Sequence, residues 1–117
     1  MSAIESQIST AIGQATSLLG QPIVYTPIEG GSPASFLSVI EEVDSISTQS
    51  GSPILIEAER RNFLVQVSDY AAEPVLGDTI SYDGDTYTVM IPEEKKAAWE
   101  WNDKWNIRRR VFTKRTG

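Results

Sequence analysis

The stretch Val75–Val89, VLGDTISYDGDTYTV, constrains the fold of this chain more than any other part of it. Two short runs rich in β-branched and aromatic residues flank Asp83-Gly84, which is typical of a two-residue hairpin turn, because Gly adopts positive φ freely and Asp tolerates it. Such a turn places Ile80 opposite Tyr87. The sequence therefore predicts an antiparallel β-hairpin with a fixed register.

That register also pairs Tyr82 with Asp85 and gives the hairpin two unlike faces. One face is apolar and aromatic, and the other carries hydroxyl groups. The apolar set is Ile80, Tyr82, Tyr87 and Val89, and the hydroxyl set is Thr79, Ser81, Thr86 and Thr88. Because side chains alternate across a strand, the pairing and the expected burial agree, which favours a hairpin with one buried face.

Two further regions before the hairpin indicate β-structure. Ile23–Thr26 reads as a short strand. Phe36–Val43 fits one face of a helix, but its β-branched residues and its Gly- and Pro-rich flanks favour a strand. Ile54–Ala58 and Phe63–Ser68 predict a second hairpin, joined by a short polar turn around residues 60–62.

The two ends of the chain differ from this pattern. Residues 1–20 predict an amphipathic helix, because Ile4, Ile8 and Ile12 form an apolar stripe and Gly20 supplies a stop. At the other end, residues 93–104 fit a helix and a strand equally well. Asn106–Lys114 predicts a strand in which Arg109 faces one way, and Arg108 and Arg110 face the other.

These elements predict a mainly β protein of the α+β class, a small antiparallel barrel or sandwich with an N-terminal helix and long flexible loops. We expect a single domain over residues 1–117. It divides into a helix at 1–20, a β core at 22–91 with loops at 27–35 and 45–53, and a basic, Trp-rich segment at 92–117. No run is apolar enough for a membrane span, and the start does not resemble a secretory signal.

Loop 45–53 is predicted to be flexible because it is small and polar with no apolar anchor. The residues that carry this prediction are Ser45, Thr48, Gln49, Ser50, Gly51 and Ser52.

The composition removes much familiar catalysis. The chain has no Cys and no His, so it lacks a thiol nucleophile and the commonest general base and metal ligand. Glu57 and Glu59 alternate on a predicted strand, which suits either acid–base chemistry or, as we favour, a solvent-facing side. Asp83 and Asp85 are explained by the hairpin without a metal. We therefore predict no enzyme activity, no metal and no cofactor.

Charge is distributed unevenly along the chain. Residues 1–94 hold 14 carboxylates and two arginines, a net charge of −12, whereas residues 95–117 hold eight basic and two acidic residues, a net charge of +6. The basic segment suits a protein interface, a nucleic-acid grip or a solvated edge strand. We favour an interface, because the acidic body repels a polyanion. The predicted interface residues are Trp99, Trp101, Trp105, Arg108, Arg109 and Arg110.

The order of parts matches a known pattern. A helix, a β region with a long polar loop, the strand FLVQV, the segment GDTISYDGDTYTV and a closing basic strand follow one another. In this order the chain resembles the small head-to-tail joining proteins of long-tailed bacteriophages, the lambda-type joining or stopper proteins. The resemblance is best over Ile54–Val89, and the stretch Trp99–Trp105 departs from it.

The resemblance implies a structural protein of the virion neck, made in the host cytoplasm. It implies a hexameric ring between the portal-adaptor complex and the tail proteins. That ring closes the packaged head and later lets double-stranded DNA pass without specific binding. Loops that order on assembly are implied at Pro27–Ser35 and Ser45–Pro53. No membrane contact is implied. The alternatives are an adaptor or tail-completion subunit, a nucleic-acid-binding module that uses the basic segment, and a carboxylate hydrolase.

Overall fold

The computed structural model describes residues 11–12, 19–43 and 59–117. Of the predicted N-terminal helix, only Ala11, Ile12, Leu19 and Gly20 belong to the described residues, and the first three are helical. The predicted strand 54–58 and the loop 45–53 lie outside them. The strands are β1 (Gln21–Thr26), β2 (Ala34–Val43), β3 (Arg60–Gln66), β4 (Thr79–Tyr82), β5 (Asp85–Val89), β6 (Trp99–Trp101) and β7 (Arg108–Arg115).

Six of these strands close into an antiparallel barrel in the order β3-β2-β1-β4-β5-β7, and β7 pairs back to β3. β7 holds the closure together. One of its edges pairs with all of β3, and its other edge pairs with β6 at residues 109–111 and with β5 at residues 113–115. The mainly β fold is therefore confirmed, and of the two predicted architectures it is the barrel. In the described part of the chain no helix is long and apolar enough to cross a bilayer.

The hairpin predicted within Val75–Val89 is confirmed in its register. Ile80 pairs with Tyr87 and Tyr82 pairs with Asp85 across the turn. Asp83 has φ of 51° and Gly84 has φ of 82°. Two consecutive positive φ values define the turn whose twist matches that of the flanking strands. The apolar face points into the barrel, where Ile80 and Tyr87 are fully buried.

β1 and β2 confirm the strands predicted at Ile23–Thr26 and Phe36–Val43. The predicted turn at residues 60–62 is wrong, because these residues form the start of β3. Their backbones pair with β2 on one side and with β7 on the other. Three polar residues in a row look like a turn in the sequence, but both arginines among them end on carboxylates, with Arg60 bonded to Glu94 and Arg61 to Glu59.

The C-terminal segment is part of the barrel wall. Within the undecided region 93–104, residues Trp99–Trp101 form β6, and the residues around them are turns and bends. The two predicted faces of the last strand are confirmed. Arg109 and Val111 are buried on the inner side, and Arg108 and Arg110 are half-buried on the outer side.

The core is aromatic for so small a barrel. The Phe63 ring lies edge-on to Tyr87, with 5.3 Å between ring centroids, and Tyr25 lies 4.2 Å from Tyr70. Paired rings of this kind contribute about 0.5–1.5 kcal/mol each beyond the area they bury. The buried apolar set is Ile23, Tyr25, Phe63, Val65, Ile80, Tyr87, Val89, Ala98 and Val111.

Candidate interaction surface

Asp78 is a buried anchor at one end of the barrel. It lies just before β4 and is 2% exposed. Its carboxylate accepts hydrogen bonds from Tyr25 Oη at 2.5 Å, from the Ile28 amide at 2.8 Å and from the Val75 amide at 2.9 Å. A buried charge is tolerated only when donors surround it in this way. Asp78 thus ties the loop after β1 to the loop before β4.

Those two loops present aliphatic side chains to the outside. Ile28 is 59% exposed, Val75 is 45% exposed and Leu76 is 51% exposed. Between the loops, Gly77 has φ of 92°, and a Cβ added to it would collide with Ile28 Cδ1. Gly is therefore favoured at position 77 by its backbone conformation, and a larger residue there would also push the end of the Ile28 side chain aside.

Arg109 occupies a second polar anchor, between the wall and the loop that follows β3. Its guanidinium donates to three consecutive carbonyl oxygens of residues 70–72, at 3.1–3.3 Å. The same group lies 4.8 Å from the Trp99 ring centroid and 5.1 Å from that of Trp101. Because Arg109 is only 6% exposed, its charge holds the chain's own loop and its own indole rings.

Arg110, on the outer side of the same strand, donates hydrogen bonds to three side chains. Its Nε lies 2.7 Å from Glu41 Oε1, its Nη1 2.9 Å from Glu100 Oε2, and its Nη2 2.8 Å from Asn102 Oδ1. Burial alone would raise the pKa of Glu41, but hydrogen bonds from Arg110 and Asn62 outweigh it and lower that pKa overall. The pKa of Glu100 is lowered first by the hydrogen bond from Lys95 and then by that from Arg110.

The turn between β6 and β7 is organised by Asp103. Its carboxylate accepts hydrogen bonds from the backbone amides of Trp105 at 2.9 Å, of Ile107 at 3.1 Å and of Arg108 at 2.8 Å. Asn106 completes the turn with φ of 58°. Trp105 is left 37% exposed at its tip, under the ammonium of Lys104. Asp103 and Asp78 thus fix loops in the same manner, by capping backbone amides.

The structure brings five of the six predicted interface residues onto two paired strands, with Trp105 on the turn between them. Arg109 is committed inside the chain, and Arg110 is bonded to carboxylates of its own barrel. Burial lowers the pKa of Arg108, whose side chain is half-buried. The outward indole edges of Trp101 and Trp105 are the accessible part of this set. The interface itself stays a prediction.

The carboxylates considered for chemistry have other partners. Glu59 bonds to Arg61 at 2.7 Å and to Arg115 at 3.2 Å. Asp85 lies 3.8 Å from Arg115. Among the described residues, no three carboxylates come together as a metal site would require. Asp78 stands close to Asp83 and Asp85 in the sequence, and its position directly after a Gly and before a strand is the only local sign of its anchoring role.

One open groove lies on the outer wall, where β1 meets β2 and β4. It has a volume of about 340 Å³ and is mostly apolar. Its lining residues are Pro22, Ile23, Val24, Ser35, Phe36, Leu37 and Ser81. The groove carries no charged side chain among these residues, so it offers shape and apolar surface only.

The described part of the chain is thus a small closed barrel whose loops are fixed by buried charges. The family model for the Phage Head-Tail Attachment protein matches residues 5–101, which is most of the chain. The chain therefore belongs to the phage head-tail attachment protein family. No curated protein matches the sequence. Family membership confirms the resemblance to phage joining proteins and gives the chain a structural role at the neck, where head and tail proteins meet.

Proposed function

We propose that this protein is a head-to-tail joining, or stopper, subunit that forms a hexameric ring between the portal-adaptor complex and the tail. The observation that carries the proposal is the family match over residues 5–101, which includes six of the seven strands. A closed barrel supports it. Among the described residues the six wall strands are paired on both sides, and only the three-residue strand β6 has an unpaired edge, so edge-to-edge aggregation is disfavoured and assembly uses the loops and the wall.

The charges of the molecule support a DNA channel that does not bind DNA. The chain carries a net charge of −6. Counting only the residues that the structure describes, five of the ten basic residues are paired with carboxylates of the same chain, and Arg109 is buried. The paired residues are Arg60, Arg61, Lys95, Arg110 and Arg115. A negatively charged surface on which most cations are already engaged repels a polyanion, so we expect DNA to slide past it.

The joining role is tested with a phage in which the reading frame of this protein carries an early stop codon. We expect infected cells to yield separate heads and tails, and we expect the purified chain to join them when it is added to that lysate. Electron microscopy of the joined necks then counts the copies in the ring. Joined, infectious particles formed without the chain would refute the role. The heat-denatured chain is the matched control.

The expectation about DNA is tested separately by filter binding with the purified chain. Binding through phosphates strengthens steeply as salt falls, so low salt is the most permissive condition. We expect no retention of double-stranded DNA even there. Retention at low salt that disappears with added salt would instead favour the nucleic-acid-binding alternative.

A further inference from the structure

We propose that Ile28, Val75 and Leu76 form a docking tip through which the barrel attaches to a different protein, one that offers an apolar pocket rimmed by Lys or Arg side chains. We call these three residues the apolar tip. The inference rests on the proposed function only in taking that partner from the head or the tail of the particle.

The apolar tip is one surface although it comes from two loops. The three residues are between 45% and 59% exposed, and among the large aliphatic residues that the structure describes only Leu19, at 66%, is more exposed. Ile28 lies directly over Gly77, which adjoins Leu76 in the chain. Exposed aliphatic residues on a small protein are ordinary when they are scattered, but a group that lies together on two adjoining loops marks an interaction site.

The loops that carry the tip are held in place before any partner binds. Asp78 accepts the amide of Ile28 on one oxygen and the amide of Val75 on the other, and the hydroxyl of buried Tyr25 secures the second oxygen. On the strand side, the Gly77 amide donates to the Val89 carbonyl. A surface fixed in advance loses little conformational entropy on binding, so less of the free energy gained from its contacts is offset and the affinity is higher.

Charge indicates the chemistry of the partner. Glu29 follows Ile28 and Glu73 precedes Val75 by two residues, and both carboxylates are exposed. A pocket that accepts the apolar tip therefore meets negative charge at its rim, which basic side chains complement. A second copy of this chain is a poor candidate, because its own basic residues are mostly paired or buried and its net charge is −6. A different, basic-rimmed protein fits better.

The test measures binding of the purified chain to purified heads and, separately, to purified tails from the phage that lacks it. The first variant is the double substitution Ile28→Ser and Leu76→Ser. Its matched control is Leu37→Ser, since Leu37 is also an exposed leucine, at 39%, but lies on the barrel wall. We expect the double variant to lose about tenfold or more in affinity for one of the two particles, and the control to change by less than about twofold.

A second variant, Glu29→Lys with Glu73→Lys, changes only exposed charge and so leaves the fold intact. We expect it to weaken the same binding, and we expect that loss to shrink in high salt because surface charges are screened. Sedimentation of the chain alone is expected to be the same for all variants.

Three results would overturn the proposal. The first is wild-type affinity for both particles in the double variant. The second is an equal loss in Leu37→Ser, because the tip would then not be distinctive. The third is self-association of the wild-type chain that the tip variants abolish, because the occupant would then be a second copy. Failure of the proposed joining role would give a different result. Heads and tails would then join in the absence of the chain, whether or not the apolar tip binds either particle.

Discussion

Replacing Asp78 with Ala is the sharpest perturbation of the described structure. The carboxylate is 2% exposed and is shared by three donors, namely Tyr25 Oη, the Ile28 amide and the Val75 amide. The substitution removes all three acceptor contacts at once. Water cannot easily replace the contact to Tyr25 Oη, because the Tyr25 side chain is fully buried.

The cost is estimated from the fate of each donor. A buried hydroxyl left without an acceptor costs about 1–3 kcal/mol, and two amides in loops regain water at a further cost of about 1 kcal/mol. We therefore expect Asp78→Ala to lower the free energy of unfolding by about 3 kcal/mol. That is a large fraction of the about 5–15 kcal/mol that stabilises a typical domain.

Tyr25→Phe provides the matching half of a double-mutant cycle. It leaves Asp78 with its two amide donors, so we expect a loss of about 1–2 kcal/mol. Combining the two substitutions removes both members of the buried pair and orphans neither. The double variant is therefore expected to be more stable than the sum of the single losses by about 1–2 kcal/mol.

Urea denaturation followed by circular dichroism measures all three variants. We expect the midpoints to fall while the dependence on urea stays unchanged, since the compactness of the folded barrel is preserved. Glu73→Ala is the control, because it removes an exposed carboxylate from the same loop and should change stability by less than about 0.5 kcal/mol. An Asp78→Ala variant as stable as this control, or strictly additive losses in the cycle, would refute the anchoring role.

Three other predictions concern the turn, the buried arginine and alkaline pH. Gly84→Ala should lower the free energy of unfolding, measured by thermal denaturation, by about 1–2 kcal/mol. The cause is the backbone φ of 82° alone, since the added Cβ contacts no other atom, and unchanged stability would contradict this turn. Arg109→Lys should cost about 2 kcal/mol and change tryptophan fluorescence, because an ammonium cannot bond three carbonyls and stack on Trp99 at once; unchanged stability and fluorescence would count against it. Burial, aided by the hydrogen bond to Asp78, raises the pKa of Tyr25 far above its ordinary value of 10.0. Stability from this group is complete below about pH 10 and then falls by up to about 1.4 kcal/mol per pH unit, because only the unfolded chain releases the proton. Chemical denaturation between pH 9 and 11 should show a shallower decline in Tyr25→Phe, and identical slopes would show that this proton is not held.

The hairpin was predictable because everything that fixes it is local. The turn dipeptide, the alternation on both sides and the register all lie within Val75–Val89, so no distant contact was needed to choose among alternatives. The first strands and the last one were predictable for the same reason.

The sequence-based predictions were wrong or undecided where the structure depends on pairing between strands that are far apart in the chain. Residues 60–62 are polar and read as a turn, yet they lie in β3 because β2 and β7 supply backbone partners on both sides. The choice between barrel and sandwich depended on the pairing of β3 with β7, whose residues are about fifty positions apart in the chain. The anchoring role of Asp78 was hidden for the same reason, since Tyr25 and Ile28 reach it from the other end of the sequence.

In the folded protein the residues of the basic segment have a different role from the one that the sequence indicated. In the sequence, three consecutive arginines beside three tryptophans suggested a surface that grips a partner by charge. In the barrel, alternation sends Arg109 inward against Trp99 and sends Arg110 outward. There, the adjacent strand β6 supplies Glu100, and β2, on the far side of β3, supplies Glu41. The positive charge of the basic segment thus neutralises part of the acidic remainder of the same molecule. Attraction between copies through these arginines would require breaking pairs that already exist. We therefore expect contacts of this protein to depend more on its apolar tip and outward tryptophan edges than on the arginine strand.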